Sequence, residues 1–106
     1  MIPWEKEIAE LLKADYVKLS HQSSSVSVDG NTPKTEAYLE LDIINSKTLQ
    51  ELSINERLWT DKCDEIEDSI LKAPVLNQLP GFNEVSIKII QTGLSGETKT
   101  VSYQVH

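Results

Sequence analysis

At 106 residues, 39% of them apolar and 25% charged, the chain has the length and composition of one globular domain spanning 1–106. A net charge of −7 with no basic stripe argues against nucleic acid, whose phosphates call for clustered Lys and Arg. No apolar run approaches the roughly 18 residues that cross a bilayer, so no membrane association is expected.

The opening MIPWEKEIAELL has neither a basic leader nor an apolar core, which argues against a signal peptide. The lone cysteine, Cys63, excludes an internal disulfide and fits a reducing, cytoplasmic setting. Pro3 to Lys13 reads as a helix, with Trp4, Ile8, Leu11 and Leu12 on one face and Glu5, Lys6, Glu7 and Glu10 outward. Pro3 suits a first turn, and the acids favour the positive helix start.

From Tyr16 the period changes to two. Residues 17–28 and 36–45 form a hairpin whose tip carries the turn signal Asp29-Gly30-Asn31 and a loose Thr32-Pro33-Lys34. In the second strand Ala37, Leu39, Leu41 and Ile43 alternate with Tyr38, Glu40, Asp42 and Ile44. Ser53-Ile54-Asn55-Glu56 matches a capping box opening a helix that Pro74 stops after about Lys72. Its apolar stripe is Leu58, Trp59, Cys63, Ile66, Ile70 and Ala73. Residues 74–83 connect to the last two strands, with Leu76, Leu79 and Phe82 expected on the core. EVSIKIIQT and KTVSYQV then pair through GLSGE.

The order α-β-β-α-β-β implies an α+β fold, a four-stranded sheet with two helices packed on one face. The apolar strands 36–45 and 84–92 belong in the centre, parallel if adjacent and joined by a right-handed crossover through the long helix. The polar strands 17–28 and 98–105 belong at the edges.

The octapeptide DKCDEIED (residues 61–68) puts Asp61, Asp64, Glu65 and Asp68 at i, i+3, i+4 and i+7, one ridge of four carboxylates. Three readings compete for it: a metal site, a contact surface for a basic partner, and a solvated helix face. A helix splays its carboxylates instead of wrapping them round an ion, and no histidine lies between residues 22 and 105, so no metal is expected. Residues 36–68 carry ten acids against three bases, the entire net charge, while the other 73 residues balance to zero. Such one-sided charge can steer a basic protein, although solubility alone also favours it.

Cys63 lies on the apolar stripe among acids, which disfavours a reactive thiolate. His21 beside QSSS lacks a nucleophile elbow and an oxyanion loop. Neither a catalytic residue nor a cofactor motif is apparent. Tyr38, Ile44 and Ile90 interrupt the polar side of their strands, so the open sheet face is a candidate contact or homodimer surface unless the hairpin or residues 74–83 cover it.

The residues therefore favour a non-catalytic interaction or regulatory domain: an inhibitor, an immunity-type protein or an adaptor. A rival reading is a small-molecule binder or small enzyme with a pocket between sheet and helix. A deep concavity lined by His21 or Tyr103 would favour the rival, and a flat apolar patch beside the ridge would favour the interaction domain.

Overall fold

The computed structural model describes residues 2–26, 30, 34–73 and 84–105. Its elements run α1 (Pro3–Leu12), β1 (Tyr16–Val26), β2 (Lys34–Ile44), α2 (Lys47–Leu52), α3 (Glu56–Leu71), β3 (Glu84–Thr92) and β4 (Thr98–Val105). The four strands form one mixed sheet in the order β1-β2-β3-β4. Both hairpins are antiparallel and the central β2–β3 pair is parallel, joined by α2, α3 and residues 74–83. This is the expected α+β sheet with the polar strands at its edges.

Alternation assigns the two faces. Val17, Leu39, Leu41, Ile43, Ile87 and Ile89 join Ile8, Leu12, Leu49, Trp59, Cys63, Ile66 and Ile70 in one core, so all three helices lie against the same side. The opposite residues form rows across the sheet. Gln22, Tyr38, Ser86 and Gln104 make one; Ser20, Glu40, Lys88 and Ser102 make the next.

Four sequence expectations need correction. The short helix α2 has no counterpart among the expected elements: KTLQEL carries few apolar residues, and the helix is held by its ends. The Ser46 hydroxyl accepts from Leu49 N at 3.1 Å and donates to the Leu12 carbonyl at 2.6 Å, tying α2 to the end of α1. The cap of α3 is Asn55 instead of Ser53, with Asn55 Oδ1 accepting from Arg57 N and Leu58 N at 3.1 and 3.3 Å. Ser53 already has helical backbone angles (φ −65°, ψ −15°) and closes α2, which removes it from the extended conformation a cap needs.

Third, Glu5 is buried at 7% exposure and Leu11 stands 69% exposed, the reverse of the expected face. The Glu5 carboxylate accepts from Ile2 N at 2.9 Å and from Leu19 N of β1 at 2.7 Å. That pair of bonds from backbone donors rotates α1 so that Ala9, not Leu11, completes the buried arc with Ile8 and Leu12. Fourth, Leu58 is exposed, because the α3 stripe centres on Trp59, Cys63, Ile66 and Ile70.

Gly30 takes a positive φ of 73° in the first hairpin's turn, as its sequence suggests, and Gly96 a φ of 86° in the second. The expectations for residues 27–29, 31–33 and 74–83, including Leu76, Leu79 and Phe82, lie outside the described residues.

Candidate functional site

Helix α3 lies along the β4 side of the sheet. Trp59 Nε1 donates to Gln91 Oε1 on β3 at 2.5 Å, and Lys99 Nζ of β4 stands 4.5 Å from the Trp59 ring centroid while pairing with Glu56. Further along, the Tyr103 hydroxyl donates to Asp64 Oδ1 at 2.8 Å. From Glu56 to Asp64 a helix rises about 12 Å, and from Lys99 to Tyr103 a strand rises about 13 Å. The two elements therefore run side by side in the same direction.

Asp61, Asp64, Glu65 and Asp68 are all exposed, as a ridge requires. Their surroundings differ. Lys62 donates to Glu65 at 3.2 Å, Lys72 to Asp68 at 2.9 Å, and Asp64 is turned toward Tyr103. Asp61 has no partner among the described residues. The lysine pairs are exposed and contribute a few tenths of a kcal/mol each.

Sequence reasoning overlooked Glu56 and Glu67. With Thr60 and Asp64 they fall at i, i+4, i+8 and i+11, the flank of α3 next to its buried stripe, and that spacing was visible in the sequence. Burial, then the charges of Asp64 and Asp68, raise the Glu67 carboxyl above its ordinary range. Burial, then its bond to Asp64, likewise raise the Tyr103 phenol.

The open face is a second surface. Tyr38 and Ile44 are 45% and 42% exposed, and Ile90 is half-buried. They do not form one patch: Glu40 and Asp42 stand between Tyr38 and Ile44 on β2, which are about 20 Å apart at strand rise. Ile44 has Tyr16 as its cross-strand neighbour and Ile90 on the diagonal. The acidic ridge lies on the other side of the sheet, so the sequence-selected residues occupy two opposite surfaces.

A concavity of about 560 Å³ crosses the open face, floored by Ser20, Gln22, Tyr38, Glu40, Ser86, Lys88, Ser102 and Gln104. His21 and Tyr103 line it only as neighbours in the strands, since their side chains alternate to the helix side with Leu39 and Ile87. Among the described residues it is a polar trough on the face that no helix covers, not a pocket between sheet and helix. Burial, then the charge of Asp42 and a hydrogen bond with it, raise the Glu40 carboxyl, with Lys88 opposing.

Cys63 is buried on the core side of α3, and burial pushes its thiol up to about 12, the opposite of activation. His21 is exposed and bonds to no other described side chain, so the structure brings no serine or acid to it. Among the described residues no three His, Cys, Asp or Glu side chains stand close enough to hold a metal ion, and no helix is long and apolar enough to cross a membrane. Compared with models of known protein families, with curated proteins and with solved structures, the chain matches none.

Proposed function

We propose that this chain is a non-catalytic interaction or regulatory domain, of the inhibitor, immunity-type or adaptor kind, which presents α3 to a basic partner protein. One observation carries the reading. In its 16 residues α3 exposes or half-exposes six carboxylates against two bases. Glu65, Asp68 and Glu56 pair with Lys62, Lys72 and Lys99, while Asp61, Asp64 and Glu67 have no basic partner among the described residues. A helix arranged for stability alone would intersperse the signs. Exposed charge of this kind acts mainly on the rate of encounter and on the choice of partner.

The test captures partners from the source cell with the wild-type chain and with Asp61→Asn/Glu65→Gln/Asp68→Asn, identified by mass spectrometry. A protein enriched several-fold by the wild type at low salt, less so by the variant, and by neither near about 0.5 M salt supports the reading. Equal capture by both chains in every buffer overturns it.

The polar trough on the open face favours a second reading, a site for a small hydroxyl-bearing ligand recognised by its serines, glutamines and the Glu40–Lys88 neighbours. Saturable chemical-shift changes at Tyr38 and Lys88 on titrating simple sugars would favour it. A homodimer through the same face is weakened by the separation of Tyr38 from Ile44, and sedimentation as a monomer would exclude it.

A further inference from the structure

The two edges of the sheet are unequal. At β1 the outward N–H of Leu19 is taken by the Glu5 carboxylate at 2.7 Å, so α1 obstructs that edge around Leu19. At β4 every residue from Thr98 to Val105 is matched to β3 on its inner side. Among the described residues, nothing except β3 hydrogen-bonds to the β4 backbone. In an antiparallel edge strand alternate residues direct both N–H and C=O outward, so among the described residues the outer ladder of β4 stands open to a further strand.

The surroundings of that ladder select its occupant. On the helix side, a strand laid beside β4 would pass Lys99, Val101 and Tyr103 and run under the flank of α3 that carries Asp64 and Glu67. Lys99 is already engaged with Glu56 and Lys72 with Asp68, while Asp64 and Glu67 have no basic partner among the described residues. On the other side the same strand would meet Thr100, Ser102 and Gln104, which suit small polar residues.

We propose that the outer edge of β4 takes up an extended segment of a partner protein as a fifth strand, with lysine or arginine at alternate positions facing Asp64 and Glu67. This deepens, and rests on, the reading of the chain as the binder of a basic protein. Main-chain hydrogen bonds would supply the pairing, and the two carboxylates its register and sign. Burial first, then the charges of Asp64 and Asp68, raise the Glu67 carboxyl, and a cation placed there would offset the second of these.

The experiment titrates the full chain with a synthetic eight-residue peptide alternating lysine with threonine, and with its twin bearing glutamate for lysine, followed by NMR of backbone amides. Expected are saturable shifts and slowed hydrogen exchange confined to Thr98–Val105 and the adjoining flank of α3, with the lysine peptide only. Glu67→Gln should weaken binding several-fold and Asp64→Asn/Glu67→Gln by about tenfold. The carboxamide introduced by Asp64→Asn can still accept from the Tyr103 hydroxyl, so the double variant removes charge and keeps that bond.

Shifts on β1 or the open face, equal binding of the glutamate twin, or shifts on α3 without protected β4 amides would each overturn strand addition. So would the absence of binding. If the outer carboxylates still govern capture of a cellular partner while β4 stays unprotected, strand addition fails and the broader reading stands.

Discussion

The two faces of the sheet are built from the same strands and answer to different constraints. On the helix side Leu39, Leu41, Ile43, Ile87 and Ile89 are fully buried. One residue along, the open side carries Tyr38, Glu40, Asp42, Ser86 and Lys88 in polar rows around a trough. The first face has one solution, because close-packed neighbours reject polar or undersized side chains. The second tolerates exchange, so whatever chemistry it retains is free to serve contact. The lesson is that periodicity of two separates structural from available positions within single strands.

The largest expected break in this comparison is Cys63→Asp, which would place a charge against the helix-side core. It should cost about 3–5 kcal/mol, whereas Ile44→Thr on the open side should cost about 1 kcal/mol or less. Urea unfolding midpoints read both, and similar losses would mean that the open face is packed after all.

The second is alkaline. The folded Cys63 thiol is held at about 12 against an ordinary 9.0, so below pH 9 its contribution is whole. Above that only the unfolded chain releases the proton, and stability should fall by roughly 1.4 kcal/mol per pH unit toward pH 12. The raised Tyr103 phenol adds to the fall in the same direction. Cys63→Ala should flatten the slope between pH 9 and 10, and an unchanged slope there would refute the assignment.

The smallest is acid-side and belongs to the open face. Glu40 is raised, so its favourable contribution is whole below the ordinary carboxylate value and is lost as pH rises through the raised one. Its charged form weighs on the fold. Glu40→Gln should stabilise by about 0.3 kcal/mol at pH 7 and remove part of the gain seen on acidification. A destabilised variant would show that the attraction of Lys88 outweighs burial and the charge of Asp42.

Strand order and polarity were legible in the sequence, because alternation in 36–45 and 84–92 reports burial directly. The apolar stripe of α3 was legible for the same reason from Trp59 to Ile70. Helix α2 was not, since its formation depends on Ser46 reaching the carbonyl of Leu12, 34 residues away. The inward turn of Glu5 was hidden likewise, for a glutamate reads as solvent-facing until a buried donor such as Leu19 N is known. For the candidate site, the ridge carboxylates were visible, but their division into Asp64 beside β4 and the outward Asp61, Glu65 and Asp68 needed the position of Tyr103.

One corner of the molecule governs how it can move. Asn45, left-handed at φ 54°, donates its backbone N–H to the Thr92 carbonyl at 2.8 Å and its amide to Asp15 Oδ2 at 2.6 Å, beside the Ser46 bond to Leu12. The end of α1, the start of β1, the ends of β2 and β3 and the start of α2 are thus riveted within a few residues. From there β1 and β2 run outward for 11 residues each. The sheet is anchored at Asn45, and along β2 only the residues beyond the Glu36–Glu84 pair lack the support of β3, so among the described residues backbone opening should be easiest at the far ends of β1 and β2.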